Sequence, residues 1–217
     1  MKKLSLMMIL IFTFSLFLCS AASADVITAL AIEVNPDHLE KTVSYARILG
    51  YNEESNTLTV ELIAPEVFDR KDVLSLQVGD SIYTGGQELV IQTIEKNDWD
   101  FVLNKGSRDG VIETIYLMKD GDCNYRRMNG DDYVWNTLAV MDFPVKDFLL
   151  FLDDIEEELF RPQDVPIVRT ARELTARLEE EDASEAFDVG FTANNVYVVF
   201  DGEGNLAVVH RFYVPWQ

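Results

Sequence analysis

Short runs of β-branched and aromatic residues, each closed by turn chemistry after about eight to twelve residues, recur from Val26 to Val214 and constrain this chain more than any other feature. Strands are expected near Val26–Val34, Thr42–Tyr51, Thr57–Ile63, Ser81–Tyr83, Glu88–Ile94, Trp99–Leu103, Val111–Met118 and Tyr133–Met141. Between them stand Asn52 to Asn56, Gly85-Gly86, Lys96-Asn97-Asp98 and Gly106 to Gly110, residues that tolerate positive φ or cap turns through short polar side chains. In the third run Leu58, Val60 and Leu62 alternate with Thr59 and Glu61, so one face is apolar and the other wet. The expected class is α+β, mainly β: an antiparallel small-barrel or sandwich-like core with one or two short helices in the C-terminal half.

Those helices are read from a change of period. Phe148, Leu152, Ile155 and Leu159 have helical spacing, which favours a helix over Asp147–Leu159 against a buried strand. Thr170-Ala171-Arg172-Glu173 forms a capping box, followed by a narrow stripe of Ala171, Leu174 and Leu178 that ends in Glu179 to Asp182. Val196–Phe200 and Leu206–Val214, joined through Asp201-Gly202-Glu203-Gly204-Asn205, read as a terminal hairpin. Its first strand is apolar on both faces and so interior; its second puts His210 on the face of Phe212, and Trp216 is expected to fold back over a sheet edge.

Leu76-Gln77-Val78-Gly79-Asp80-Ser81-Ile82 has a Gly-Asp pair between an apolar residue and a strand, with Asp80 placed to accept backbone N–H groups. The pattern resembles strand entries in small barrels of the OB or SH3 kind over roughly residues 43–118. The resemblance implies a barrel and brings no site residues with it.

At the N-terminus, Lys2 and Lys3 precede an apolar run from Leu4 to Leu18, and Ala22-Ser23-Ala24 supplies a small-x-small cleavage pattern before Asp25. Residues 1–24 therefore read as a signal peptide and 25–217 as one exported globular domain, with a sub-boundary near 130–145 between a β-barrel part and an α+β part. The chain is expected to be bacterial and secreted or periplasmic, with no membrane span after cleavage; lipid attachment at Cys19 is the alternative, disfavoured because Leu18 is not small. Cleavage leaves Cys123 as the lone cysteine, so no intrachain disulfide forms, and a partly buried thiol is expected.

The whole chain has 18 basic against 38 acidic residues, a net charge of −20 that becomes −22 without Lys2 and Lys3. Basic residues are scattered singly among the carboxylates, which excludes a phosphate-tracking groove and hence a nucleic-acid partner. Asp120, Asp122 and Asn124 occupy the first, third and fifth positions of a calcium-loop spacing, with Asp131 at the twelfth. Tyr125 stands where the sharp turn needs Gly, and Asp131 is shorter than the usual Glu, so the segment reads as a hairpin turn and no metal is assigned. Asp201–Asn205 shares the look with less support.

Only His38 and His210 could serve a nucleophilic triad, and no zinc or nucleophile-elbow motif is present. Both histidines read as structural, His38 in a solvated turn. Catalytic residues are unassigned and no cofactor is implied. The expected function is a non-enzymatic binding or envelope-associated module that meets an unknown protein or small ligand outside the cytoplasm. The alternative is a small secreted hydrolase using an Asp/Glu pair, which spacing alone does not reveal.

Overall fold

Strand pairing groups the chain into two units, one formed by residues up to Leu30 with Glu66–Val134, the other by Ala31–Pro65 with Trp135–Gln217. The computed structural model describes residues 25–31, 34–35, 37–106, 113–130, 132–156, 161–181 and 190–212. Residues 1–24, Asp131 and Trp216 lie outside the described residues. The class is α+β, mainly β, with no closed barrel among the described residues.

In the first unit, β1 (Val26–Thr28) pairs in parallel with β5 (Ser81–Thr84), and β5 pairs antiparallel with β6 (Gln87–Val90). A second sheet runs as an antiparallel meander through β7 (Ile94–Lys96), β8 (Asp100–Leu103), β9 (Ile115–Asp120), β10 (Asn124–Asn129) and β11 (Asp132–Tyr133). There β10 also pairs with β4 (Val67–Asp69). The core gathers Phe68, Val73, Ile82, Ile91, Phe101, Leu103, Ile115 and Leu117. A short helix, α1 (Arg70–Ser75), follows β4 and is capped by Asp69, whose carboxylate accepts the Lys71 N–H at 2.7 Å. It lies in the N-terminal half, where no helix is expected from the sequence.

Asp80 acts as its sequence suggests: Oδ2 accepts the Gln77 N–H at 2.8 Å and Oδ1 that of Asp25 at 3.3 Å, next to Gly79 at φ +102°. The expected Glu88–Ile94 strand is broken after Val90. The buried Asn104 side chain takes over the local pairing, donating to the Val90 carbonyl and accepting the Gln92 N–H.

The second unit is a seven-stranded sheet in the order β12-β3-β2-β15-β16-β13-β14. Its strands are β2 (Val43–Asn52), β3 (Thr57–Pro65), β12 (Trp135–Pro144), β13 (Leu150–Glu156), β14 (Arg161–Thr170), β15 (Val196–Phe200) and β16 (Leu206–Arg211). All pairings are antiparallel except β13 with β16. Leu58, Val60 and Leu62 are fully buried while Thr59 and Glu61 are not, as their alternation requires. One face of the sheet buries Ala46, Ile48, Phe151, Val196, Val198 and Val209 with Leu174 of α2 (Ala171–Glu181). The capping box forms: Glu173 accepts the Thr170 N–H at 2.7 Å, and the Thr170 hydroxyl accepts the Glu173 N–H at 3.4 Å.

Two expectations are corrected. Over the described residues of Asp147–Leu159 no helix forms; Leu150–Glu156 is strand β13, held by β14 on one side and β16 on the other. The outward face of β13 carries Leu150, 44% exposed, and Leu152, while its buried face carries Phe151, Asp153 and Ile155, so apolar and polar residues do not alternate in the sequence and the spacing mimics a helix. Nor do residues 43–118 make one barrel, because β2 and β3 belong to the second unit's sheet and β4 through β9 to the first unit.

Candidate functional site

The seven-stranded sheet carries an apolar outward face. Register places Val43, Val199, Val208 and Leu150 side by side on β2, β15, β16 and β13. The next row on the same face is Tyr45, Tyr197, His210 and Leu152. Side chains alternate between faces along a strand, so both rows follow from the odd positions of β2 and β15 and the even ones of β16 and β13. Val43 and Tyr45 remain 62% and 39% exposed. Apolar residues at this density on an outward face mark a surface that something else can cover.

Val43, Ser44, Tyr45, Tyr197 and Phe212 line an open groove of about 470 Å³ on this face, within the range of small-molecule sites. Its aromatic rings touch one another. Tyr45 meets Phe212 at 6.2 Å between centroids and 58° between planes, Tyr197 meets Phe212 at 5.8 Å and 38°, and Trp135 stands edge-on to Tyr45 at 5.1 Å.

Behind Tyr197 runs a hydrogen-bonded chain. His210 Nε2 lies 2.9 Å from Asp154 Oδ1, and His210 Nδ1 lies 2.5 Å from the Tyr197 hydroxyl. The carboxylate can only accept, so Nε2 carries a proton; in the neutral ring Nδ1 is then bare and the Tyr197 O–H donates to it. Burial pushes the Tyr197 phenol above its ordinary value of 10.0, and the negative charge of Asp154 pushes it further the same way. On the same face Arg47 donates to Asn194 Oδ1 at 3.0 and 2.7 Å and to Glu61 at 3.0 Å. Burial alone would raise the Glu61 carboxyl, but the Thr137 hydroxyl and Arg47 outweigh it and hold the carboxyl below 4.5.

Two buried ionic clusters lie elsewhere. Asp153, fully buried, accepts Arg211 Nε at 3.1 Å and Nη2 at 3.0 Å, with Arg177 at 3.5 Å and Arg169 at 3.7 Å. The Arg211 guanidinium also sits 4.8 Å from the Phe191 ring centroid. These contacts tie β13, β14, β16 and α2 together. In the first unit, buried Glu66 accepts the Thr84 hydroxyl and, at 2.9 Å, the Gly85 N–H, while Arg127 donates to Thr84 at 2.6 Å and to Glu113 at 2.5 Å.

The described residues singled out for metal are engaged in other contacts or exposed. Asp120 Oδ2 accepts Arg126 Nε at 2.6 Å, Asp122 is 96% exposed with Lys119 at 3.9 Å, and Asn124 faces Asp120 across the β9–β10 pairing. Asp131 is outside the described residues. Among the described residues no group of three or more His, Cys, Asp or Glu side chains is placed to hold a metal ion. Asp201 spends its Oδ1 on the Asn205 side chain and on the N–H groups of Asn205 and Glu203, which holds its carboxyl below 3.8.

Cys123 is exposed, contrary to the partly buried thiol expected, because it occupies the turn between β9 and β10 and not a strand. His38 is exposed, with Glu40 at 4.0 Å. No helix of the described residues is long and apolar enough to cross a membrane. No family model, curated protein or solved structure matches the chain.

Sequence reasoning placed His210 and Phe212 on one face, and their rings do meet at 6.3 Å. It missed Tyr45, Trp135 and Asp154. Alternation in β2 marks Tyr45 as outward, but nothing in the sequence says that β2 lies beside β15. Asp154 was hidden by the helical reading of its segment.

Proposed function

We propose that the chain is an exported, non-enzymatic binding module that takes its ligand on the outward face of the seven-stranded sheet. The observation that carries this reading is the aromatic groove of Val43, Tyr45, Tyr197 and Phe212. Rigid rings at adjacent register positions give large contact area with little side-chain entropy to lose, which is what a binding surface needs. Export is supported by the leader and its Ala22-Ser23-Ala24 cleavage pattern.

The Tyr197–His210–Asp154 chain has the order of a nucleophilic triad. In the binding reading it fixes the Tyr197 ring in the groove wall, and the turnover test below separates the two.

Titration with an environment-sensitive hydrophobic dye tests the reading. The chain should bind it saturably, Tyr45→Ser should remove most of the response, and chromogenic ester and glycoside substrates should turn over no faster than in buffer. Turnover that disappears in Asp154→Asn would replace the binding module with an enzyme. N-terminal analysis of the cell-exported form should give Asp25; a lipid-modified Cys19 would revise the route of export.

A further inference from the structure

We propose that the groove takes a small organic cation, an alkylammonium head seated against Tyr45, Tyr197 and Phe212 on the side of Asp154. This rests on the binding-module reading and adds the ligand class to it.

Shape is the first support. The rings meet at 58° and 38°, so the lining is a folded aromatic surface and not a flat platform. A planar ring could stack on one of these side chains only, while a compact rounded head can touch several at once. Electron-rich tyrosine rings attract such a head through their quadrupole, and they do so best where water is partly excluded.

Charge is the second. Among the described residues neither Lys nor Arg lines the groove. Arg47, on the same sheet face, has its guanidinium spread over Glu61 and Asn194. Asp154, 21% exposed, supplies a carboxylate next to His210, and its field reaches the groove wall, since it helps to hold the Tyr197 phenol protonated. Over the whole chain the net charge of −20 enriches cations near the surface and repels anions. A volume of about 470 Å³ fits a small molecule.

Calorimetric titration with choline and with its uncharged isostere 3,3-dimethyl-1-butanol separates charge from shape. Choline should bind at least about tenfold more tightly than the isostere, and Tyr45→Leu should weaken choline about tenfold. Asp154→Asn should weaken choline several-fold more than it weakens the isostere. Because that variant could disturb the sheet, a second readout uses the wild-type chain: choline affinity should fall as sodium chloride is raised, and isostere affinity should not.

Equal binding of choline and isostere, both lost in Tyr45→Leu, would overturn the cation and leave the binding groove standing. No binding of either, together with no dye response, would overturn both. A lysine-rich peptide that binds far more tightly than choline and protects residues beyond the groove from hydrogen exchange would overturn the small ligand in favour of a basic protein partner.

Discussion

Asp153→Asn should destabilise the second unit strongly. The substitution keeps the shape of the side chain and deletes the negative charge around which Arg211, Arg177 and Arg169 are arranged. Asp153 is fully buried and the Arg211 side chain is only 5% exposed, so water does not replace what is lost. Removing one partner of such a pair costs about 3–5 kcal/mol, most of it from the charge left behind. Arg177 and Arg169, at 3.5 and 3.7 Å, lie beyond good hydrogen-bond distance and add mainly longer-range attraction, which favours the lower half of that range, about 3–4 kcal/mol. For a chain of this size the loss corresponds to a fall in Tm of roughly 6–16 °C.

Urea unfolding followed by far-ultraviolet circular dichroism measures it, as a lower midpoint at unchanged slope. Arg211→Met alone should also destabilise, by stranding the carboxylate. The double variant should recover at least about 2 kcal/mol of the summed losses, because neither charge is then alone. A loss under about 1 kcal/mol for Asp153→Asn, or strict additivity in the cycle, would refute the reasoning.

Gly85→Ala should cost about 2–3 kcal/mol in the first unit, since a Cβ there would stand 2.8 Å from Arg127 Nη1 on a backbone at φ +58°; Gly86→Ala, which meets no atom, should cost less in the same melt. Thr170→Ala should remove about 1 kcal/mol through the lost cap of α2 while Thr170→Ser retains most of it, read from helical dichroism and urea midpoints. On acidification the Asp201 loop should loosen. The Asn205 side chain and backbone hold that carboxyl below its ordinary 3.8, so its stabilisation is full above that value and is lost as pH falls through the lower folded one. The Tm difference between wild type and Asp201→Asn should therefore shrink between about pH 5 and pH 2, and a difference that stays constant with pH would contradict this.

Local chemistry carried much of the secondary structure into view. The capping box at Thr170, the interior strand Val196–Phe200 and the wet face of Thr59 and Glu61 all appear as their residues dictate. What stayed hidden depends on partners distant in sequence. β13 sets Leu150 and Leu152 on its outward face and a charged Asp153 on its buried one, so it shows no polar alternation and looks helical, and Asp153 and Asp154 are lost with it. β4 is only three residues long and pairs with β10 some sixty positions away, too short a run to carry a pattern of its own. That Tyr45 and Tyr197 stand side by side follows only once β2 is known to pair with β15, a long-range choice that neither strand encodes.

The central claim is that the aromatic face of the second unit is where ligand binds. Amide chemical-shift mapping on the isotopically labelled chain, titrated with a mixture of small aromatic and alkylammonium fragments, tests it most directly. Saturable shifts should concentrate at Val43, Ser44, Tyr45, Tyr197 and Phe212, the residues lining the groove. Shifts centred on the first unit, or spread evenly over both units with no saturation, would contradict the account.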